Sequence, residues 1–271
     1  MAGGNDANQK RVLVVGALGR MGEQIREQVG AHAGLRLGAA LERSGHPEIG
    51  RVVEDGIAVT DDVKTALAEC DVVIDFSIPT STITNLHAAA DAGVAYVTGT
   101  TGLSAEERAE LVAIAQRIPV IHAANFSLAV NVLGWLSQEA SRLLGDGFDA
   151  ELVEIHHKAK RDAPSGTALF LADAVAKGRA QSLDDHVVLE RAGDIGPRPD
   201  AAIGIQTLRG GDNPGEHTVM FVGNGERVEL IHRSATREHF ASGAVRAAAW
   251  LIGRDAGLYP IEQVFGLREP A

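Results

Sequence analysis

From Arg11 the chain reads Arg11-Val12-Leu13-Val14-Val15-Gly16, then Ala17-Leu18-Gly19-Arg20-Met21-Gly22. A helical pattern follows over 23–29 and a second apolar run over 35–41. An unbroken apolar run is what a strand buried on both faces of a parallel sheet requires. Strand, glycine turn, helix and strand together take about thirty residues, the size of one βαβ unit. This order commits the chain to a parallel sheet flanked by helices. The glycines fall at 16, 19 and 22, one step wider than the spacing usual for dinucleotide turns, yet the physical purpose is kept. Small residues let backbone N–H groups approach a pyrophosphate at the N-terminus of a helix. Glu42 stands where an acidic residue would accept hydrogen bonds from the adenine ribose, and Arg43 where a cation would meet the 2′-phosphate of NADP. Having both fits a site that takes NADH or NADPH; the alternative is a solvated strand end.

The alternation continues. Helices are expected over 61–69, 80–92 and 104–116, and strands over 71–76, 94–98 and 118–122. This pattern predicts a Rossmann-like, doubly wound α/β sheet whose ligands sit at the carboxyl ends of strands. Four polar or glycine-rich segments lie at such ends: 16–22, Phe76-Ser77, Gly99-Thr100-Thr101 and Ala123-Ala124-Asn125-Phe126. One ligand touching all four would be extended, like a dinucleotide.

After a helix over 128–144, ended by Gly145-Asp146-Gly147, the character changes. A strand over 148–155, a helix over 166–180 and an irregular stretch over 182–200 come next. Strands over 203–208, 216–222 and 226–232 follow, the last two joined by Gly223-Asn224-Gly225, a tight-hairpin signal. This is α+β material, a helix layer on a mostly antiparallel sheet. A final amphipathic helix over 237–254 is expected to return to the first domain. The division is therefore 1–129, completed by 237–271, and 130–236, with hinges near 127–130 and 234–237.

Chemistry concentrates in Glu154-Ile155-His156-His157-Lys158-Ala159-Lys160-Arg161-Asp162-Ala163-Pro164-Ser165-Gly166-Thr167. Pro164 suits the first turn of a helix, and Ser165 or Thr167 can cap it. The positive helix end would then share space with His156, His157 and Lys160: an anion site, for carboxylate or phosphate, with proton donors beside it. The alternative is a capped helix after a polar loop. Strand alternation sends His156 and His157 to opposite sides unless the strand bends. Of the other histidines, His122 lies beside the expected cofactor loop, whereas strand positions give His217 and His232 packing roles. No metal site is expected, because ligand spacing is absent.

A formal charge of −11 argues against general binding to nucleic acid or an anionic membrane. Cys70 is the single cysteine, so neither a disulfide framework nor a thiolate zinc cage can form, and a reducing cytoplasm fits. Residues 1–10 read as a loose terminus rather than a signal peptide. No apolar run is long enough to span a bilayer.

The motifs Gly16 to Gly22, Gly99-Thr100-Thr101-Gly102, Ala123 to Ser127, the Glu154–Thr167 block with Ala168, and Gly215-Glu216-His217-Thr218 together resemble the bacterial dihydrodipicolinate reductases, from about Arg11 onward. The resemblance implies NAD(P)H-dependent reduction of a cyclic dicarboxylate in diaminopimelate and lysine biosynthesis. It implies that Gly16, Ala17, Leu18, Gly19, Arg20 and Met21 cradle the pyrophosphate, with Glu42 on the ribose and Arg43 on the NADP phosphate. Gly99, Thr100 and Thr101 with Ala123, Ala124, Asn125 and Phe126 would line the nicotinamide end. His156 and Lys160 would be the acid–base pair, and His157, Gly166 and Thr167 would bind a substrate carboxylate. It also implies a homotetramer built through the second domain's sheet.

Overall fold

The computed structural model describes residues 9–236 and 238–267. Most of the expected loose terminus, and Arg237 at the end of the second expected hinge, lie outside the described residues. The chain forms two compact units, Met1–Ser127 with Glu238–Ala271, and Leu128–Arg237.

The first unit is built on strands β1 (Lys10–Val15), β2 (Leu35–Leu41), β3 (Val59–Thr60), β4 (Val72–Asp75), β5 (Ala95–Thr98), β6 (Pro119–His122) and, late in the chain, β12 (Gly257–Tyr259). Their order is β12-β6-β5-β4-β1-β2-β3, and every pairing is parallel. The order reverses between β1 and β4, which is where a doubly wound sheet opens its ligand crevice. Helices α1 (Arg20–Ala31), α2 (Val63–Leu67), α3 (Pro79–Ala92), α4 (Ala105–Ile114), α8 (Glu238–Leu251) and α9 (Ile261–Val264) complete the unit. Neighbouring strand residues point to opposite faces, so β1 feeds two cores. Val12 and Val14 pack with Ile25 and Val29 of α1 and with Ala244 and Val245 of α8. Leu13 and Val15 pack with Leu86 and Ala89 of α3 and Leu111 and Ile114 of α4.

Some boundaries differ from expectation for local reasons. α1 begins at Arg20 rather than 23, because Gly19 serves as its N-cap and the helix runs through Gly22. α2 covers only Val63–Leu67, its start fixed by Asp62, whose side chain accepts from the N–H groups of Lys64 and Thr65. β3, β12 and α9 carry no periodicity in so few residues and were not expected.

The second unit contains β7 (Asp149–His156), β8 (Val187–Val188), β9 (Ile203–Arg209), β10 (Glu216–Val222) and β11 (Arg227–Arg233), in the order β11-β10-β7-β9-β8. β10 pairs antiparallel with both β11 and β7, while β9 lies parallel to β7 and β8. The sheet is thus mixed, with antiparallel pairing the more extensive. Helices α5 (Leu128–Leu144) and α6 (Gly166–Gly178) cover one face, where Leu133, Leu171 and Val175 meet Leu152, Ile205, Val219 and Phe221. The stretch expected to be irregular over 182–200 holds a short helix, α7 (Leu183–His186), and β8.

Candidate active site

β7 alternates strictly, and its buried face carries Ala150, Leu152, Glu154 and His156. Two ionisable side chains thus follow two core residues on the helix-covered face. Glu154 is 1% exposed and His156 8%. The Glu154 carboxylate accepts from His156 Nδ1 at 2.5 Å, from Arg209 Nη1 and Nη2 at 2.9 and 3.0 Å, and from the Ser165 N–H at 3.0 Å. Thr207 Oγ1 adds a longer contact at 3.3 Å. Burial alone would push the Glu154 carboxyl up, but the hydrogen bonds from Arg209 and His156 outweigh it and hold it below the ordinary carboxylate range. Burial pushes the His156 imidazole down, only partly opposed by Glu154.

Ser165 is the N-cap of α6, its Oγ accepting from the Ala168 N–H at 3.1 Å. This corrects two expectations. Pro164 precedes the cap instead of occupying the first turn, and Thr167 does not serve as the cap. The Ala168 N–H is satisfied by Ser165, and Gly166 and Thr167 form the first turn at the positive helix end. Ser165 Oγ also lies 3.2 Å from His217 Nε2. The His217 and His156 rings meet edge to face at 5.2 Å, and burial pushes His217 down to about 3.

The loop after β7 is tied down through its backbone. The His157 N–H donates to Asn213 O at 2.8 Å and the Lys158 N–H to Gly211 O at 3.2 Å. His156 is buried and His157 half-buried, so the two imidazoles do have different surroundings. Lys160 Nζ pairs with Asp162 Oδ2 at 2.8 Å. That carboxylate is well exposed, so another anion can compete for the ammonium group.

In the first unit the residues after β1 form a tight turn. Gly16 has φ +67, a conformation that favours glycine, and the Gly19 N–H returns to Gly16 O at 3.0 Å. At Gly22 an added Cβ would sit 2.1 Å from Gly16 O, so only glycine lets α1 approach the turn this closely. The helix start leaves the N–H groups of Arg20, Met21 and Gly22 without intrahelical acceptors, an anion-binding end. Glu42, just past β2, accepts from the Leu18 N–H at 2.8 Å, which brings it against the turn. A cleft of about 550 Å³ runs from Val15 and Gly16 past Glu42, Arg43 and Ser44 to Ser77, Thr80 and Asn85. Its residues fit the ribose and adenine end of a dinucleotide: a carboxylate for hydroxyls, and a guanidinium for a 2′-phosphate.

At the ends of β4, β5 and β6 the remaining expected residues gather. Thr100 is buried, its Oγ1 accepting from Thr82 at 2.7 Å, while Thr101 is exposed. His122 Nε2 lies 3.1 Å from Thr100 O, and the Phe126 ring stands 5.4 Å from that of Phe76. Ala123 is buried, Ala124 exposed and Asn125 half-buried, its Oδ1 accepting from the Ser127 N–H at 2.8 Å. Beneath them the Asp75 carboxyl, pushed up by burial, accepts from Tyr96 Oη at 2.5 Å. Burial pushes the Cys70 thiol up to about 12, which favours the neutral thiol over the thiolate.

All the expected cofactor residues therefore belong to the first unit, and His156, His157, Lys160, Gly166 and Thr167 to the second. The sequence by itself assigns Glu154, Ser165, Arg209 and His217 no chemical role apart from the Ser165 cap. The alternation of β7 could have found Glu154. Among the described residues no group of three or more His, Cys, Asp or Glu side chains could hold a metal ion, and no helix is long and apolar enough to cross a membrane.

Comparison with known proteins decides the family. The sequence model described as dihydrodipicolinate reductase, N-terminus, matches residues 10–126, and that described as its C-terminus matches 129–265. The chain belongs to the dihydrodipicolinate reductase family. A 4-hydroxy-tetrahydrodipicolinate reductase of Anaeromyxobacter dehalogenans is 49% identical over 95% of this chain and 98% of its own. One from Desulfotalea psychrophila is 46% identical over 96% and 99%. A dipicolinate-bound dihydrodipicolinate reductase from Paenisporosarcina sp. TG-14 superposes with a TM-score of 0.74 at 22% identity, covering 93% of this chain and 97% of that one. The apo scyllo-inositol dehydrogenase of Lactobacillus casei reaches 0.60 at 15% identity over 95% and 92%, so the fold by itself does not choose the substrate. The family read from the motifs holds along nearly the whole chain, and with it the expected fold and an NAD(P)H-dependent oxidoreductase.

Proposed function

We infer that the protein catalyses NAD(P)H-dependent reduction of 4-hydroxy-tetrahydrodipicolinate, through its dehydrated form, to tetrahydrodipicolinate in diaminopimelate and lysine biosynthesis. The observation that carries this reading is one cluster in the second unit: a buried histidine beside the capped start of α6, linked through Glu154. It pairs a proton donor with a carboxylate cradle, which is what reduction of a dicarboxylate ring needs.

Bound NAD(P)H supplies the hydride. The first unit, residues 1–129 with 237–271 in functional terms, holds the dinucleotide. Gly16 to Met21 receive the pyrophosphate, Glu42 the adenine ribose and Arg43 the 2′-phosphate of NADPH. Gly99, Thr100, Thr101 and Ala123 to Phe126 face the nicotinamide. The second, 130–236, holds the substrate: the backbone at Gly166 and Thr167, with His157, grips one carboxylate and Lys160 exchanges Asp162 for the other. His156 delivers the proton from Nε2, the nitrogen not bonded to Glu154. Since burial favours the neutral imidazole, the two negative charges of the substrate are what promote its protonated form.

The sheet face turned away from α5 and α6 exposes Leu208 at 51%, Ile231 at 43% and Val222 at 37%. Such an apolar face supports a homotetramer assembled through this sheet, which light scattering would test. A biosynthetic enzyme with one half-buried cysteine belongs in the cytoplasm. Mixing the protein and NADPH with freshly prepared condensation product of pyruvate and aspartate semialdehyde should cause loss of absorbance at 340 nm. Tight NADPH binding without oxidation would instead favour a dinucleotide sensor.

A further inference from the structure

Glu154 bonds to three different parts of the site with one carboxylate. It is almost fully buried, and an isolated carboxylate at such a depth would take up a proton to become neutral. Arg209 prevents this with a two-pronged contact, at 2.9 and 3.0 Å, from the neighbouring strand. With the charge secured, Oε2 takes the Nδ1–H of His156 at 2.5 Å, so Nε2 is the nitrogen left to exchange protons. Oε1 takes the Ser165 N–H at 3.0 Å, and Ser165 in turn caps α6. Gly215 completes the fit: it has φ +146, and a Cβ there would sit 2.8 Å from His156 Nε2. Any other residue would crowd the working nitrogen.

We propose that Glu154 is the positioning residue of this site, one carboxylate that fixes both the tautomer of His156 and the start of the helix that cradles the substrate carboxylate, with Arg209 keeping it ionised. The proposal rests on the reductase reading above. A buried ion pair that only stabilises the fold would leave proton transfer untouched, and this difference can be measured. The charged and titratable groups around His156 are Glu154 on its own strand, His217 on β10, Arg209 on β9 and Lys160 in the following loop.

The test compares full-length wild type, Glu154→Gln and Arg209→Gln. An amide at 154 cannot accept from His156, Ser165 and Arg209 together. Glu154→Gln should lower kcat about 10²-fold or more, as loss of an acid catalyst does, while NADPH affinity stays within about 3-fold, a margin well below the tenfold that 1.4 kcal/mol represents. In ¹⁵N-histidine NMR spectra of the neutral form, the His156 proton should shift from Nδ1 toward Nε2. Arg209→Gln leaves the buried Glu154 free to take up a proton, which deprives His156 of the anion on its Nδ1. That loss outweighs the loss of the more distant cation, so the kcat/KM profile should show the His156 limb at lower pH. If Glu154→Gln fails to fold, this second profile and the NMR tautomer of wild type decide. Wild-type kcat and tautomer in Glu154→Gln, or an unmoved limb in Arg209→Gln, would overturn the proposal. A wild type that oxidises no NADPH but holds His156 as the Nδ1–H tautomer would sink the reductase reading and leave the positioning role standing.

Discussion

His217 should make the fold acid-sensitive in a way that one substitution removes. It is 5% exposed, it meets Ser165 Oγ at 3.2 Å, and its Nδ1 has no hydrogen-bond partner among the described residues. Burial, reinforced by nearby His156, His232 and Lys160 and opposed by Glu154, pushes it from 6.5 down to about 3. In the unfolded chain it titrates near 6.5. Between those two values the unfolded state binds a proton that the native state refuses. Stability contributed by neutral His217 is therefore present above about pH 6.5 and lost as pH falls toward 3. Integrated from pH 7 to 4.5, the loss is about 2.5 kcal/mol, and moving the native value up one whole unit changes it by only ~0.1 kcal/mol. Urea unfolding of wild type and His217→Asn at fixed protein concentration and both pH values measures it. His156 and His232, also pushed down by burial, are present in both proteins and cancel. The variant should lose roughly 2.5 kcal/mol less than wild type over this interval. Parallel losses, agreeing within about 0.5 kcal/mol where linkage demands five times that, would refute a neutral buried His217.

Three other outcomes follow from the site. His156→Ala should reduce kcat by about 10²–10⁴-fold with NADPH affinity preserved; activity near wild type would remove His156 from proton transfer. Arg43→Ala should weaken NADPH relative to NADH in titrations followed by fluorescence, and an unchanged ratio would reject its contact with the 2′-phosphate. Gly22→Ala drives a methyl group to within 2.1 Å of Gly16 O and 2.7 Å of the Ala17 backbone. Such overpacking should cost at least about 1–3 kcal/mol in unfolding measurements and loosen dinucleotide binding; wild-type stability would contradict the close approach.

Much of this was legible in the chain because local patterns are strong where elements are long. The apolar run of β1, the helix Leu128–Leu144 and the hairpin ladder of β10 and β11 all follow from periodicity and turn residues. β3 and β12 escaped because two or three residues hold no period; they exist through pairing with β2 and β6. The site divides in the same way. His156, Lys160 and the start of α6 lie in one continuous stretch and could be read from it. Arg209 stands opposite His156, and His217 opposite Glu154, through ladders that join distant segments. No local pattern announces such partners, so the sequence alone assigns Arg209 no role and gives His217 only a packing position.

The most direct measurement is a crystal structure of the ternary complex with NADPH and dipicolinate, an unreactive aromatic dicarboxylate. The account predicts one carboxylate on the Gly166 and Thr167 backbone and the other near Lys160. It places the ring beside His156 Nε2, with the nicotinamide C4 about 3–3.5 Å away. Dipicolinate bound elsewhere, or a nicotinamide turned away from the His156–Thr167 segment, would contradict it.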